Sequence, residues 1–284
     1  MENIAARTRE LCQIYEIKPA RSKGQNFLIN DGIYQAIINA ADLHATDTVL
    51  EVGPGLGFLT AELSKKVERV IAVELDDKLA SLLQVAIDAQ AVENVEIINQ
   101  DILRFNPEEY LDSATEYRVV ANLPYNITSI FLRTFLSSPR PPLSLVLMLQ
   151  KEVAERIVAT PPDMSLLSLS VRYYGTPEII RIVPSSDFWP APAVDSAILR
   201  FSYDRPRPTP ASLAADKNFF RIARVAFSAK RKMLKNNLLA GFKIKSEDLE
   251  KAFQTAGIDA KARAESLSLE QWQLLVAALG NFVL

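Results

Sequence analysis

The stretch 48-TVLEVGPGLGFLT-60 decides the fold. It starts as a five-residue apolar strand, runs into Gly53, Gly55 and Gly57 at G-x-G-x-G spacing, and opens into a helical pattern. Glycines let a backbone turn tightly and let a ligand come close. A strand, a glycine loop and a helix begin an open α/β unit, in which ligands bind at the carboxyl ends of the strands. The nicotinamide fingerprint G-x-G-x-x-G is not met, because position 58 is Phe.

Working outward, further apolar runs alternate with helical segments such as 76–90. They are VIAVEL (70–75), VEIINQ (95–100), YRVVAN (117–122) and LSLVLML (143–149). This alternation predicts a mostly parallel sheet covered on both faces. The runs 178–183 and 195–202 have no helix between them, so they are expected to pair antiparallel and extend the sheet. DRPRPTPAS follows, and its Pro206, Pro208 and Pro210 mark a linker. Beyond it the pattern is helical. Ser268 with Gln271 forms a capping box and Leu267 with Trp272 a hydrophobic staple, which open a last helix through about Leu279. The expectation is an α/β domain over 1–205 and a small all-helical domain over 206–284.

Composition narrows the chemistry. The 284 residues, 49% hydrophobic and 23% charged, suit about two folded domains and exclude disorder, collagen and coiled coil. The single Cys (Cys12) and single His (His44) cannot form an internal disulfide or a four-ligand structural zinc site. His44 lies in ADLHATDTVL, a polar approach to a strand, and reads as a surface residue. An enzyme here works with carboxylates, amides, backbone groups and aromatics, or with a pre-activated cofactor, and needs no metal. No run reaches the ~18 apolar residues of a membrane span. The start, MENIAARTRELCQIYE, is polar and carries acids, unlike a signal or transit peptide. A cytoplasmic monomer is expected, with no membrane partner.

The net charge of −2 hides an asymmetry. Residues 42–116 carry 16 acids against 5 bases, a net of −11, whereas residues 204–243 carry 10 bases against 2 acids, a net of +8. The acidic half suits a cationic small ligand. The basic run FFRIARVAFSAKRKMLKNNL suits phosphates, although a solvated helix face accounts for such a run equally well. Within it, Phe219, Phe220, Ile222, Val225, Ala226 and Phe227 form a core stripe, and Lys230, Arg231, Lys232 and Lys235 cluster beyond.

Three strand ends in register with the glycine loop carry polar groups: Glu74, Asp101 and Asn122. A Glu there can accept hydrogen bonds from both ribose hydroxyls of an adenosyl group, and the Asp from the adenine amine. Helix capping explains any one of them. It explains all three beside a glycine loop poorly. S-adenosylmethionine fits the acidic surroundings best: its sulfonium is positive and its methyl is already activated.

The stretch NLPY (122–125) points to the acceptor. An amine conjugated to a purine is a poor nucleophile because its lone pair is delocalised. The Asn122 side-chain oxygen and the Leu123 carbonyl can pull its hydrogens toward tetrahedral geometry, Pro124 stiffens the turn, and Tyr125 can stack on the base. Alone, NLPY reads as an ordinary strand-ending turn; the preceding glycine loop changes that.

On NLPY, the glycine loop and Glu74, the chain resembles class I adenine-N6 methyltransferases, which implies a Rossmann-like class I methyltransferase sheet. KGQNFLIN (23–30), MLQKEVAERI (148–157), FWPAPAVDSAILRF (188–201) and FSAKRKMLKNNL (227–238) narrow the resemblance to the small-subunit ribosomal RNA adenine dimethyltransferases, from about residue 18 to the end. The resemblance implies transfer of two methyls to each of two adjacent adenosines in a stem-loop near the 3′ end of small-subunit rRNA, with a pre-30S particle as the expected partner. It further implies Asn26 and Leu28 over the cofactor, with Gly53, Gly55, Glu74, Asp101 and Asn122 lining it. Phe188 would pair with Tyr125 around a flipped-out adenine. Arg21, Lys23, Arg221, Lys230, Arg231, Lys232 and Lys235 would contact RNA. The chain departs from the family pattern at Ala193, where Lys is common, at Leu166–Leu167, where Tyr-Gly is common, and in its pI of about 5.7. The large-subunit adenine methyltransferases of the resistance type share the cofactor motifs, and an RNA-binding assembly factor is the reading from another class.

Overall fold

In a computed structural model, which describes residues 3–19, 25–124, 127–206 and 208–280, the glycine loop sits at the centre of a seven-stranded sheet. Numbered in chain order, the first half comprises α1 (Ile4–Ile14), β1 (Phe27–Leu28), α2 (Asp31–Ala41), β2 (Thr48–Val52), α3 (Phe58–Ser64), β3 (Arg69–Glu74), α4 (Asp77–Ala89), β4 (Val95–Asn99), β5 (Tyr117–Asn122) and α5 (Thr128–Leu136). There follow β6 (Ser144–Gln150), α6 (Lys151–Val158), α7 (Leu166–Arg172), β7 (Gly175–Val183), β8 (Phe188–Trp189) and β9 (Ser196–Tyr203). The last elements are α8 (Pro210–Ala226), α9 (Leu234–Gly241), α10 (Ser246–Thr255) and α11 (Leu269–Leu279).

The sheet order is β4-β3-β2-β5-β6-β9-β7. The first five strands are parallel, and β9 lies antiparallel to β6. The seven strand expectations hold to within a few residues at each end. All five residues of β2 are buried, as a central strand covered on both faces requires. Its order change, with β3 on one side and β5 on the other, makes the cleft at its carboxyl end. Ile33 and Ile37 of α2 and Leu59 and Leu63 of α3 share a core with Val49, Val70, Val120 and Val146 of the sheet. Each such side chain, fully buried, contributes roughly 1.5–3 kcal/mol. Helix α4 starts at Asp76, whose Oδ1 accepts from the backbone N–H groups of Lys78 (3.1 Å) and Leu79 (3.3 Å).

Sequence inspection had no period to read for β1 and β8, which have two residues each. They pair antiparallel as a separate ribbon, Phe27 opposite Trp189 and Leu28 opposite Phe188.

The chain divides into two compact units. One comprises Met1–Phe135, Arg140–Ala154 and Pro177–Tyr203, and contains the sheet. The other comprises Leu136–Pro139, Glu155–Thr176 and Asp204–Leu284. The second unit therefore takes in more than the expected 206–284. Met164 and Leu169 belong to the same core as Phe219, Ile222, Leu238 and Trp272, so apolar packing recruits α7 to the helices. Pro210 is not linker but the first residue of α8, where its missing N–H costs nothing; Thr209 and Ser212 close a capping box around it. The Ser268–Gln271 capping box of α11 forms as expected.

Candidate active site

The cavity at the carboxyl ends of β2, β3 and β5 is built from backbone outward. Gly53, Gly55 and Gly57 all have positive φ, at +67°, +58° and +82°. At Gly55 a Cβ would press on the Phe27 ring at 3.4 Å, and at Gly57 it would run into the Leu83 side chain of α4. The positive φ at all three positions lets the loop reverse with Phe27 of β1 against it. Phe27 and Leu28 of β1, Tyr34 of α2, Gly53 and Gly55 of the loop, and Asn122 and Pro124 after β5 all line the cavity.

Glu74 is buried, at 6% exposure. Its Oε2 accepts from the Gly55 N–H at 3.1 Å and its Oε1 from the Asp76 N–H at 2.9 Å. Glu74 lines the cavity with both oxygens anchored, a two-oxygen acceptor of the kind a vicinal diol needs. Burial holds this carboxyl above its ordinary range, while the Asp76 and Gly55 backbone hydrogen bonds pull it down and the Asp76 charge raises it further. Across the cleft, the Asn122 Nδ2 donates to the Asn26 carbonyl at 3.5 Å, a long bond. With Nδ2 turned to β1, Oδ1 is left as the acceptor. Leu123 is buried, and its N–H donates to the Met148 carbonyl at 3.1 Å, which pins the turn to β6.

Glu51, Tyr34 and Asp76 also line the cavity and were not singled out in the sequence. The signal for Glu51 was available: a carboxylate inside the apolar run TVLEV. Glu51 is 1% exposed, and neither carboxylate oxygen has a hydrogen-bond partner. Burial pushes its carboxyl up to about 8; the Thr60 hydroxyl, which stops short of a formed hydrogen bond, pulls against this, and the Glu74 charge adds to the rise. Tyr34 is buried beside it and donates its hydroxyl to the Leu28 carbonyl at 3.0 Å. The described residues that line the cavity include three carboxyls, Glu51, Glu74 and Asp76, and no Lys, Arg or His.

Other expected site residues fall elsewhere. Asp101 does not line this cavity; its Oδ1 caps a 3-10 turn by accepting from the Leu103 N–H at 2.9 Å. Phe188 is 3% exposed and packs in the core with Leu28, Ile33 and Tyr34, directly across from Leu28 in the strand beside β1, and does not line the cavity. Tyr125, Arg21 and Lys23 lie outside the described residues. In the helical unit, Lys230, Arg231 and Lys232 are exposed in the turn after α8. Lys235 is engaged, its Nζ 2.6 Å from Glu250 Oε1. Arg221 donates to Asn218 Oδ1 at 3.1 Å and lies over the Phe242 ring, 5.9 Å from its centroid. Among the described residues no group of three or more His, Cys, Asp or Glu could hold a metal ion, and no helix is long and apolar enough to cross a membrane.

Comparison with known proteins bears on the same residues. A family model described as ribosomal RNA adenine dimethylase matches residues 18–280. The ribosomal RNA small subunit methyltransferase A of Dehalococcoides mccartyi (strain CBDB1) is 45% identical over 273 residues, covering 96% of this chain and 92% of the relative. A crystal structure of a dimethyladenosine transferase from Plasmodium falciparum superposes with a TM-score of 0.77 at 24% identity, over 90% of this chain and 98% of that one; it supports the Rossmann-like class I methyltransferase fold. The 23S rRNA methyltransferase ErmE is a more distant likeness, with a TM-score of 0.70 at 27% identity over 90% of this chain and all of that one. The large-subunit type is thus a structural relative, whereas the similarity over nearly the whole sequence is to small-subunit enzymes. Glycine loop, strand-end carboxylate and Asn-Leu-Pro turn surround one cavity in a chain matched from residue 18 to residue 280, and the protein belongs to the ribosomal RNA adenine dimethylase family.

Proposed function

We propose that this chain transfers methyl groups from S-adenosylmethionine to the N6 amines of two adjacent adenosines in a 3′-terminal stem-loop of small-subunit rRNA, giving N6,N6-dimethyladenosine. The observation that carries the reading is the pair of groups across one cleft: Glu74, with both oxygens fixed by backbone N–H groups, and Asn122, with its amide nitrogen turned to Asn26.

The residues fit the donor. Glu74 receives the ribose hydroxyls, Gly53 and Gly55 admit the chain between ribose and amino acid, and the carboxyls face the donor's cationic centres. When bound, S-adenosylmethionine supplies a methyl that leaves without a metal or a strong base. The protein's own work is orientation. In the first transfer Asn122 Oδ1 and the Leu123 carbonyl accept the two N6 hydrogens, and in the second one of them accepts the hydrogen that remains, turning the nitrogen lone pair toward the donor. Holding nucleophile and methyl in line can supply roughly 7–11 kcal/mol of the barrier. Tyr125 and Phe188 flank the extruded base; Phe188, now packed behind Leu28, exposes its ring edge as the base enters. Asp101, whose Oδ1 caps the turn at Leu103, keeps Oδ2 to accept from the adenine amine of the donor. Asn26 and Leu28 close the top of the site.

The helical unit, with Lys230, Arg231, Lys232, Lys235 and Arg221, binds rRNA phosphates, joined by Arg21 and Lys23. The substrate is a pre-30S particle in the cytoplasm, and the enzyme acts as a monomer. The test is to map dimethyladenosine in rRNA from a strain lacking the gene, with and without this chain restored. Return of the modification at two adjacent small-subunit adenosines is expected; its appearance in large-subunit rRNA would overturn the assignment.

A further inference from the structure

Among the described residues, Glu51 is a buried carboxyl with no hydrogen-bond partner on either oxygen. Its cross-strand neighbours in the sheet are Ala72 of β3 and Val120 of β5, both fully buried and apolar. From α3 it faces Thr60, whose Oγ1 is likewise buried and unpartnered. From α2 it faces Tyr34, whose hydroxyl is committed to the Leu28 carbonyl; Asp31, in the first turn of that helix, adds only negative charge nearby. The remaining charged neighbour is Glu74, also acidic. No described cation lines the cavity. A lone carboxylate in such surroundings neutralises itself by keeping its proton.

We infer that Glu51 is protonated in the ligand-free cavity and gives up its proton when the donor's ammonium docks, so that donor binding is coupled to proton release. This rests on the donor reading above and adds the protonation change. The balance is simple: the O–H bond of the Glu51 carboxyl breaks, the proton leaves to buffer, and the carboxylate accepts an N–H from the ammonium. The carboxylate so formed offsets the ammonium's charge locally, and one proton leaves per donor bound. Burial pushes the Glu51 carboxyl up to about 8, so at pH 6.5 the donor-free form holds the proton that docking releases.

Calorimetric titration of the full chain with S-adenosylmethionine at pH 6.5, in two buffers of different ionisation enthalpy, counts the protons. About one proton released per donor is expected, with S-adenosylhomocysteine giving the same count. Methylthioadenosine, which lacks the ammonium, should bind and release none. Glu51→Gln should bind the donor more weakly and also release none. Between pH 5.5 and 7 the Kd of the unaltered protein should fall about tenfold per pH unit. Should Glu51→Gln fail to fold, that slope and the wild-type proton count decide the matter. Binding with no proton release, or equal release with methylthioadenosine, would overturn the coupling and leave the donor site standing. No binding of S-adenosylmethionine at all would overturn the donor site and the coupling together.

Discussion

Asn122 and Glu74 face one cleft but answer for different steps, and substitution should separate them. Asn122→Ala removes the acceptor for the N6 hydrogens and leaves the donor's contacts in place. Turnover on rRNA should fall at least ~100-fold, as for removal of a positioned polar group in other active sites, while donor affinity stays measurable. Glu74→Ala removes two charge-assisted hydrogen bonds to the ribose, so donor Kd should rise roughly 10- to 100-fold by calorimetry. Unchanged turnover in the first variant, or unchanged affinity in the second, would contradict the assignment. Glu51 adds a pH signature in the ligand-free protein. Its folded-state carboxyl ionises near 8 against an ordinary value of 4.5, so the native state holds the extra proton in between. Its contribution to stability is fully present below about 4.5 and is lost as pH rises through about 8. Tm should therefore decline across pH 5.5–8.5, and Glu51→Gln should flatten that decline.

Elements were legible where a period or a cap left a mark. The strand 48–52 appears with the boundaries read from TVLEV, because an apolar run ending in glycine has one way to sit in a parallel sheet. The last helix begins at its capping box, where Gln271 N–H donates to Ser268 Oγ at 3.1 Å and Ser268 N–H to Gln271 Oε1 at 3.0 Å. Ser268→Ala should cost about 1 kcal/mol in chemical denaturation, and no change would show that the tertiary contacts of Trp272 hold the helix end alone. The β1–β8 ribbon was not legible as strand. Its register comes from residues 160 and 162 positions apart, and two residues carry no alternation to read. Distance along the chain hides Asn26 as well: it lies 96 positions from Asn122, and only the fold brings its carbonyl there. Asp101 marks the opposite lesson. Its position after a strand is as expected, and its Oδ1 caps a local turn, an engagement that strand patterning does not show.

At the scale of the whole molecule, charge is divided by task. The cavity lining is acidic, and the turn after α8 presents Lys230, Arg231 and Lys232 to solvent. If about 5 phosphates of single-stranded RNA are neutralised, the slope of log affinity against log salt should be about −3.5. A flat dependence would mean a solvated helix face and no more. Lys235 should contribute least to that slope, since Glu250 already holds it. The grouping of residues 155–176 with the C-terminal helices was hidden in sequence by the intervening strands; it follows from Met164 and Leu169 seeking the core around Trp272.

The central claim is that one cavity holds a sulfonium donor beside an Asn-Leu-Pro turn that presents an adenine N6. The most direct measurement is to incubate the purified protein with methyl-labelled S-adenosylmethionine and unmethylated 30S-like particles, then digest the RNA and identify the labelled nucleoside by mass spectrometry. The account predicts label in N6,N6-dimethyladenosine at two neighbouring small-subunit positions, lost with Asn122→Ala. Label in any other nucleoside, or the same product from Asn122→Ala at an undiminished rate, would contradict it.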